Sequence, residues 1–270
     1  MTTHESRFRI RPSKKARLSK FDPADTRLMP DKALAETEIA KDILKLEELQ
    51  QRLYAEHQRS LLVILQGMDA GGKDGTIKHV MSGLNPQACV VASFKVPAGE
   101  ELEHDYLWRI ERTMPRHGYI GVFNRSQYED VLAARVHKLV PAHIWKERYD
   151  QINRFERLKT ELGTVIVKFF LHISKDEQKR RLEERLASPQ KNWKFSAADV
   201  RERKLWDDYQ DAYEDVLTKC STKWAPWYLI PANHKWYRNW MVARTIVETL
   251  EAMDLEYPRP KEDLSKITIK

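Results

Sequence analysis

The run Leu61-Leu62-Val63-Ile64-Leu65 followed by Gly67-Met68-Asp69-Ala70-Gly71-Gly72-Lys73-Asp74-Gly75 constrains this chain more than any other stretch. An apolar strand, a glycine-rich turn and a lysine at a helix start present backbone amides, a helix dipole and an ammonium to phosphate oxygens. Glycines permit the close approach that side chains would block. Such a loop usually ends Gly-Lys-Ser/Thr, whose hydroxyl serves Mg2+; here Asp74 follows Lys73, and Asp69 adds a second carboxylate. The spacing therefore reads as a phosphate site with extra negative charge. Asp74 reads alternatively as a first-turn charge that suits the helix N-terminus.

Elements around the loop alternate. A long amphipathic helix is expected over 32–58, with further helices over 75–81, 102–114, 143–162, 175–186, 197–217 and 237–253. Strands are expected over 61–66, 89–94, 119–123, 165–171 and 227–230. Strands that alternate with helices imply an α/β fold with a parallel sheet covered on both faces. The site should lie beyond the carboxyl ends of the strands, where Gly67, Lys95, Asn124 and His172 would converge. At 270 residues the chain suits one large domain, read as residues 31–270 with a helical lid near 175–215. Residues 1–30 are set apart as a basic arm. Its excess lies in Arg7, Arg9, Arg11, Lys14, Lys15, Arg17 and Lys20, and it reads as a solvated tail.

The chain carries 47 Lys+Arg against 40 Asp+Glu, a net charge of +7, which suits a polyanionic partner. No zinc spacing, RNA-binding signature or helix-turn-helix pattern points to specific nucleic-acid recognition. No run is long enough for a membrane span, and no secretory apolar segment opens the sequence. Cys89 and Cys220 are far apart, so a cytoplasmic setting is expected.

Three further segments carry chemistry. Phe123-Asn124-Arg125-Ser126-Gln127-Tyr128-Glu129 ends a strand where an acidic residue commonly supports the metal shell. The position holds Asn124, so Asp69 or Glu129 is expected to supply the metal's carboxylate. Arg125 is expected to face phosphoryl oxygens, with a structural salt bridge to Glu129 as the alternative. The basic helix after the fourth strand, then Lys191-Asn192-Trp193-Lys194-Phe195, reads as a closing lid delivering Arg181, Arg185, Lys191 and Lys194. Phe94, Lys95 and Lys78 are placed toward the acceptor nucleotide or the phosphates, although an aromatic at a strand end such as Phe94 is more often core. Trp206, Tyr209 and Tyr213 read as packing, and Lys235 follows the last strand.

Taken in this order, and with Ala225-Pro226-Trp227, these motifs resemble the type-2 polyphosphate kinases over most of the chain. The resemblance implies a thymidylate-kinase-like, three-layer α/β/α P-loop kinase fold and a helical lid. It implies phosphoryl transfer between inorganic polyphosphate and AMP, ADP or ATP, with GMP and GDP as further nucleotides. Mg2+ dependence, with Mn2+ as a substitute, and a homodimer or homotetramer are implied as well. It further implies an acceptor phosphate near Asp69, with Lys73, Arg125 and Arg185 offsetting the charge of transfer. An Asp after the loop lysine is ordinary in that family. Phe-Asn-Arg-Ser in place of Phe-Asp-Arg-Ser, with Glu129 nearby, resembles the subgroup that accepts both AMP and ADP. The competing readings are an ATP-dependent nucleotide kinase and a basic nucleic-acid-binding ATPase.

Overall fold

The computed structural model describes residues 8–269. In chain order its helices are α1 (Lys32–Glu56), α2 (Lys73–Val80), α3 (Trp108–Arg112), α4 (Ala133–Val136), α5 (Ala142–Glu161), α6 (Lys175–Ala187), α7 (Ala197–Lys204), α8 (Trp206–Cys220) and α9 (Lys235–Glu251). The strands are β1 (Ser60–Gln66), β2 (Cys89–Ser93), β3 (Ile120–Asn124), β4 (Thr164–His172) and β5 (Trp227–Pro231). They form one parallel sheet in the order β2-β3-β1-β4-β5. Helices α1, α2 and α9 pack together on one face, while α5 and α8 pack on the other, with α5 against β4. The architecture is thus a three-layer α/β/α P-loop kinase fold.

Every residue of β1 is buried, as expected for the central strand of a sheet covered on both faces. The chain switches sides at β1, from β3 to β4, and this opens a crevice at the carboxyl ends of the strands. Leu65 pairs with Asn124 and Phe169, and Ser93 with Asn124, so the ends of β1, β2 and β3 are level there.

Three expectations change. The basic N-terminal stretch is not a solvated tail over its described part; Arg7 lies outside the described residues. Phe8, Ile10, Ala16 and Leu18 are buried, while Arg11, Lys14, Lys15, Arg17 and Lys20 face solvent. Ile10 N donates to Trp227 O at 2.8 Å, and Ala16 and Leu18 N donate to Thr218 and Glu214 side chains of α8. The stretch is a strap over the edge strand β5, whose unpaired backbone would otherwise be open. The helix expected over 102–114 is reduced to α3, because Asp105 draws the Leu107 amide into a side-chain turn. The helix expected over 197–217 divides at Leu205 into α7, with no buried residue, and α8, which buries Trp206, Tyr213 and Leu217. The segment expected as a lid therefore ends at α7, and α8 belongs to the core.

Candidate active site

The phosphate loop joins β1 to α2 by a tight path. A Cβ on Gly67 would lie 2.9 Å from Leu171 O, so this strand end tolerates no side chain without movement. Ala70 and Gly72 have positive φ, 61° and 104°, which gives the alternating backbone of an anion nest. The amides of the first turn of α2, Lys73 to Gly75, have no helical carbonyl behind them and are available to an anion. Gly71 differs from the sequence expectation: its amide donates to Met68 O at 2.9 Å and serves the loop itself. Gly67 also stands back from the cavity and instead offers its carbonyl to Lys73 Nζ at 2.7 Å.

Above the loop is a cavity of about 950 Å³. Ten cations line it: Lys73, Lys78, Lys95, Arg125, Arg181, Arg185, Lys191, Lys194, Lys235 and Arg238. Only Asp69, Asp74 and Glu184 oppose them, so the cavity is built for an anion carrying many charges.

Asp69 and Arg125 meet in its lining, Arg125 Nη2 donating to Asp69 Oδ1 at 3.0 Å. Arg125 has φ 66°, a left-handed conformation rare for a non-glycine residue and characteristic of functional sites. The expected alternative, a simple ion pair with Glu129, is not what forms: Glu129 stands outside the cavity lining. The Gln66 amide, oriented by its surrounding hydrogen bonds, donates to Glu129 Oε1 at 3.1 Å.

Asp74 joins three elements. Asn124 Nδ2 donates to Asp74 Oδ1 at 2.8 Å, and the lid's Lys194 Nζ lies 3.5 Å from Asp74 Oδ2. Burial opposes the Asp74 charge, yet Asn124, Lys194 and Lys73 outweigh it and hold the carboxyl below its ordinary range. The carboxylate is a link between loop, β3 and lid rather than a phosphate ligand. Asn124 is likewise a donor to that link, a task an ionised aspartate could not perform. The remaining lid cations also have carboxylate partners: Arg185 with Asp199 at 3.4 Å, and Lys191 with Glu184.

Arg181 leaves the lid surface altogether. It is buried beneath the loop and donates to Ala70 O (2.9 Å), Gly71 O (3.1 Å), Ala232 O (2.5 Å) and Asn233 O (3.1 Å), while its Nε meets Glu177. Phe94 is buried, its ring packed edge-to-face on Phe123 and capped by Arg109, so it is wall rather than an open base platform. His172 is not part of the convergence: Nε2 lies 3.2 Å from Phe21 O under the strap, and burial pushes its pKa down to about 4. Arg238 and Asn239 in the cavity wall escape sequence reasoning, since α9 reads there as an ordinary amphipathic helix. The one available signal is their place just after the carboxyl end of the last strand.

Among the described residues, no group of three or more His, Cys, Asp or Glu could hold a metal. Glu129, expected as a metal ligand with Asp69, is turned away toward Gln66. The cavity's oxygen donors therefore do not fit an all-protein cage. They do fit Mg2+ held by one carboxylate together with substrate phosphates and water.

Lys73 gives this site a pH dependence. Burial, and then Arg125, push its pKa down to about 8 despite Asp69, Glu129 and Asp74. A bound phosphate favours the ammonium and raises that value, so above pH 8 binding must take up a proton. Affinity for tripolyphosphate measured by calorimetry, after correction for the ligand's own protonation, is expected to be flat below pH 8 and to fall toward about tenfold per pH unit above it. A Lys73→Arg variant should lose this break below pH 9; a wild-type affinity unchanged to pH 9 (about 1 unit past the break) contradicts it.

Comparison with known proteins agrees with this geometry. A family model described as polyphosphate kinase 2 matches residues 29–258. The AMP/ADP-polyphosphate phosphotransferase of Meiothermus ruber is 52% identical over 264 residues, covering 97% of this chain and 99% of that protein. The ADP-polyphosphate phosphotransferase of Rhodopseudomonas palustris is 44% identical, covering 96% of this chain and 93% of that protein. A crystal structure of polyphosphate kinase 2 from Arthrobacter aurescens TC1 superposes with a TM-score of 0.94 at 43% identity, covering 98% of this chain and 94% of that one. Matched over most of its length by the family model, by these relatives and by the solved structure, the chain belongs to the polyphosphate kinase 2 family.

Proposed function

We propose that this protein transfers phosphoryl groups reversibly between inorganic polyphosphate and adenine nucleotides, forming ADP from AMP and ATP from ADP. The observation that carries the reading is the cavity at the phosphate loop, where ten cations face three carboxylates. A chain of phosphates needs repeated point charges more than base recognition. The similarity to a Meiothermus ruber protein named for both AMP and ADP supports both acceptors.

In this reading the first-turn amides of α2 and Lys73 hold the donor's terminal phosphoryl group, and Arg125 and Arg185 offset the charge gathered by the acceptor. Asp69 orients or deprotonates the acceptor phosphate, while its contact with Arg125 fixes both side chains. Asp69 would hold Mg2+ together with substrate phosphates, and the ion would supply charge neutralisation during transfer. Closure of α6 and α7 excludes water, so the phosphoryl group passes to a nucleotide rather than to solvent. The two free thiols, Cys89 and Cys220, support a cytoplasmic setting; among the described residues no helix is long and apolar enough to cross a membrane.

The test supplies Mg2+ and long-chain polyphosphate as sole donor, with AMP or ADP in separate reactions resolved by chromatography. ADP and ATP from AMP support the full reading. ATP from ADP alone removes AMP from it. Product only when ATP is the donor replaces it with an ATP-dependent nucleotide kinase.

A further inference from the structure

Two guanidinium groups are buried beneath the phosphate loop, and they are treated differently. Arg181 is satisfied by four backbone carbonyls and by Glu177. Arg238, on the first turn of α9, is 2% exposed, and its Nε and Nη2 share one neutral acceptor, Asn239 Oδ1, at 3.1 and 2.7 Å. Among the described residues no carboxylate forms an ion pair with it, and the charge that acts on it is the like charge of Arg181. Burial, and then Arg181, push its pKa down to about 9. A buried cation without a counter-charge is costly and is ordinarily paired.

The position of this group is specific. Gly72, the left-handed residue that opens α2, is seated so closely on Arg238 that any Cβ there would overlap Nη1. A Cβ on Gly75 would lie 3.5 Å from Nη2, so the guanidinium runs under the first turn whose free amides face the cavity. Arg238 itself lines that cavity. Its missing counter-charge thus belongs where a phosphate on the loop would sit.

We infer that Arg238 is a phosphate-binding residue for the polyphosphate donor, and that the fold carries it uncompensated until the donor's phosphoryl group supplies the negative charge. The inference rests on the polyphosphate reaction proposed above. It has an unusual consequence: the residue should weaken the ligand-free protein and strengthen the complex. Arg238→Met removes the buried charge and keeps an unbranched apolar stem, whereas Arg238→Lys keeps charge without the planar fork.

The experiment uses tripolyphosphate, without nucleotide, as probe, with thermal unfolding and calorimetry on the full chain. Arg238→Met is expected to melt at or above the wild-type temperature without anion, to bind tripolyphosphate about tenfold or more weakly, and to lose most of the anion-induced rise in Tm. Arg238→Lys should fall between the two in affinity. An Arg238→Met protein that melts lower than wild type yet binds tripolyphosphate equally well would make the residue purely structural and overturn the inference. Should Arg238→Met fail to fold, Arg238→Lys decides: weakened binding with an intact fold supports the role, and unchanged binding overturns it. Wild-type protein that binds tripolyphosphate through Arg238 but forms no ATP from polyphosphate refutes the reaction and leaves this site standing. Normal transfer with unaltered affinity in both variants does the reverse.

Discussion

Asp69→Asn is expected to lower turnover with polyphosphate and AMP or ADP by about 10²–10⁴-fold while leaving the fold intact. A carboxylate lining a cationic cavity repels the donor's phosphates, so its place in the loop calls for a task that outweighs the repulsion. Asparagine preserves size and can still accept from Arg125, whose Nη2 lies 3.0 Å from Asp69 Oδ1. The loop backbone is also held independently, by Gln178 Nε2 donating to Asp69 O at 3.0 Å. What asparagine cannot do is accept the acceptor's proton or carry the charge that orients it. Tripolyphosphate affinity of the variant should therefore equal or exceed that of wild type, because one negative charge has gone. Steady-state rates and calorimetry together check this; near-normal turnover removes Asp69 from the chemistry.

Lys168→Met is expected to cost about 3–5 kcal/mol of stability. Lys168 lies in β4 with no solvent exposure, its Nζ 2.5 Å from Glu156 Oε2, 2.7 Å from the Tyr128 hydroxyl and 2.8 Å from Cys220 O. Glu156 also accepts from Gln127 Nε2 at 3.0 Å and from the Tyr128 hydroxyl at 2.8 Å. Removing the ammonium leaves a carboxylate buried without its partner. The double variant Lys168→Met with Glu156→Leu removes both charges and should recover a large part of the loss. Chemical denaturation midpoints measure both; a single variant within about 1 kcal/mol of wild type would mean the pair is not desolvated. Gln127 and Tyr128 follow Arg125 in the chain, so the same network anchors the turn that presents Arg125 to the cavity.

The local parts of this fold are legible in the chain. β1, the loop and α2 follow from contiguous residues, and the order of strands and helices follows from apolar runs and periodicity. What escapes depends on distant partners. Phe8, Ile10 and Leu18 are thinly spread among basic residues, and they become a strap only because β5 presents an open edge and α8 offers Thr218 and Glu214. Arg181 reads as a lid arginine delivered to the phosphates, yet the loop carbonyls that draw it inward come from more than a hundred residues away. Glu129 is placed by the left-handed turn at Arg125, which directs it toward Gln66 and away from the cavity. Asp74 is the converse case. Its place after the loop lysine is visible in the sequence, but its role as a link appears only with Asn124 and Lys194 beside it.

The most direct test follows the phosphoryl group itself, by phosphorus NMR of purified protein with Mg2+, long-chain polyphosphate and ADP, without ATP. The γ-phosphoryl signal of ATP should grow as the polyphosphate signal declines, with no matching growth of inorganic phosphate. Inorganic phosphate accumulating in place of ATP, or no change until ATP is added, would contradict transfer from polyphosphate to nucleotide at this site.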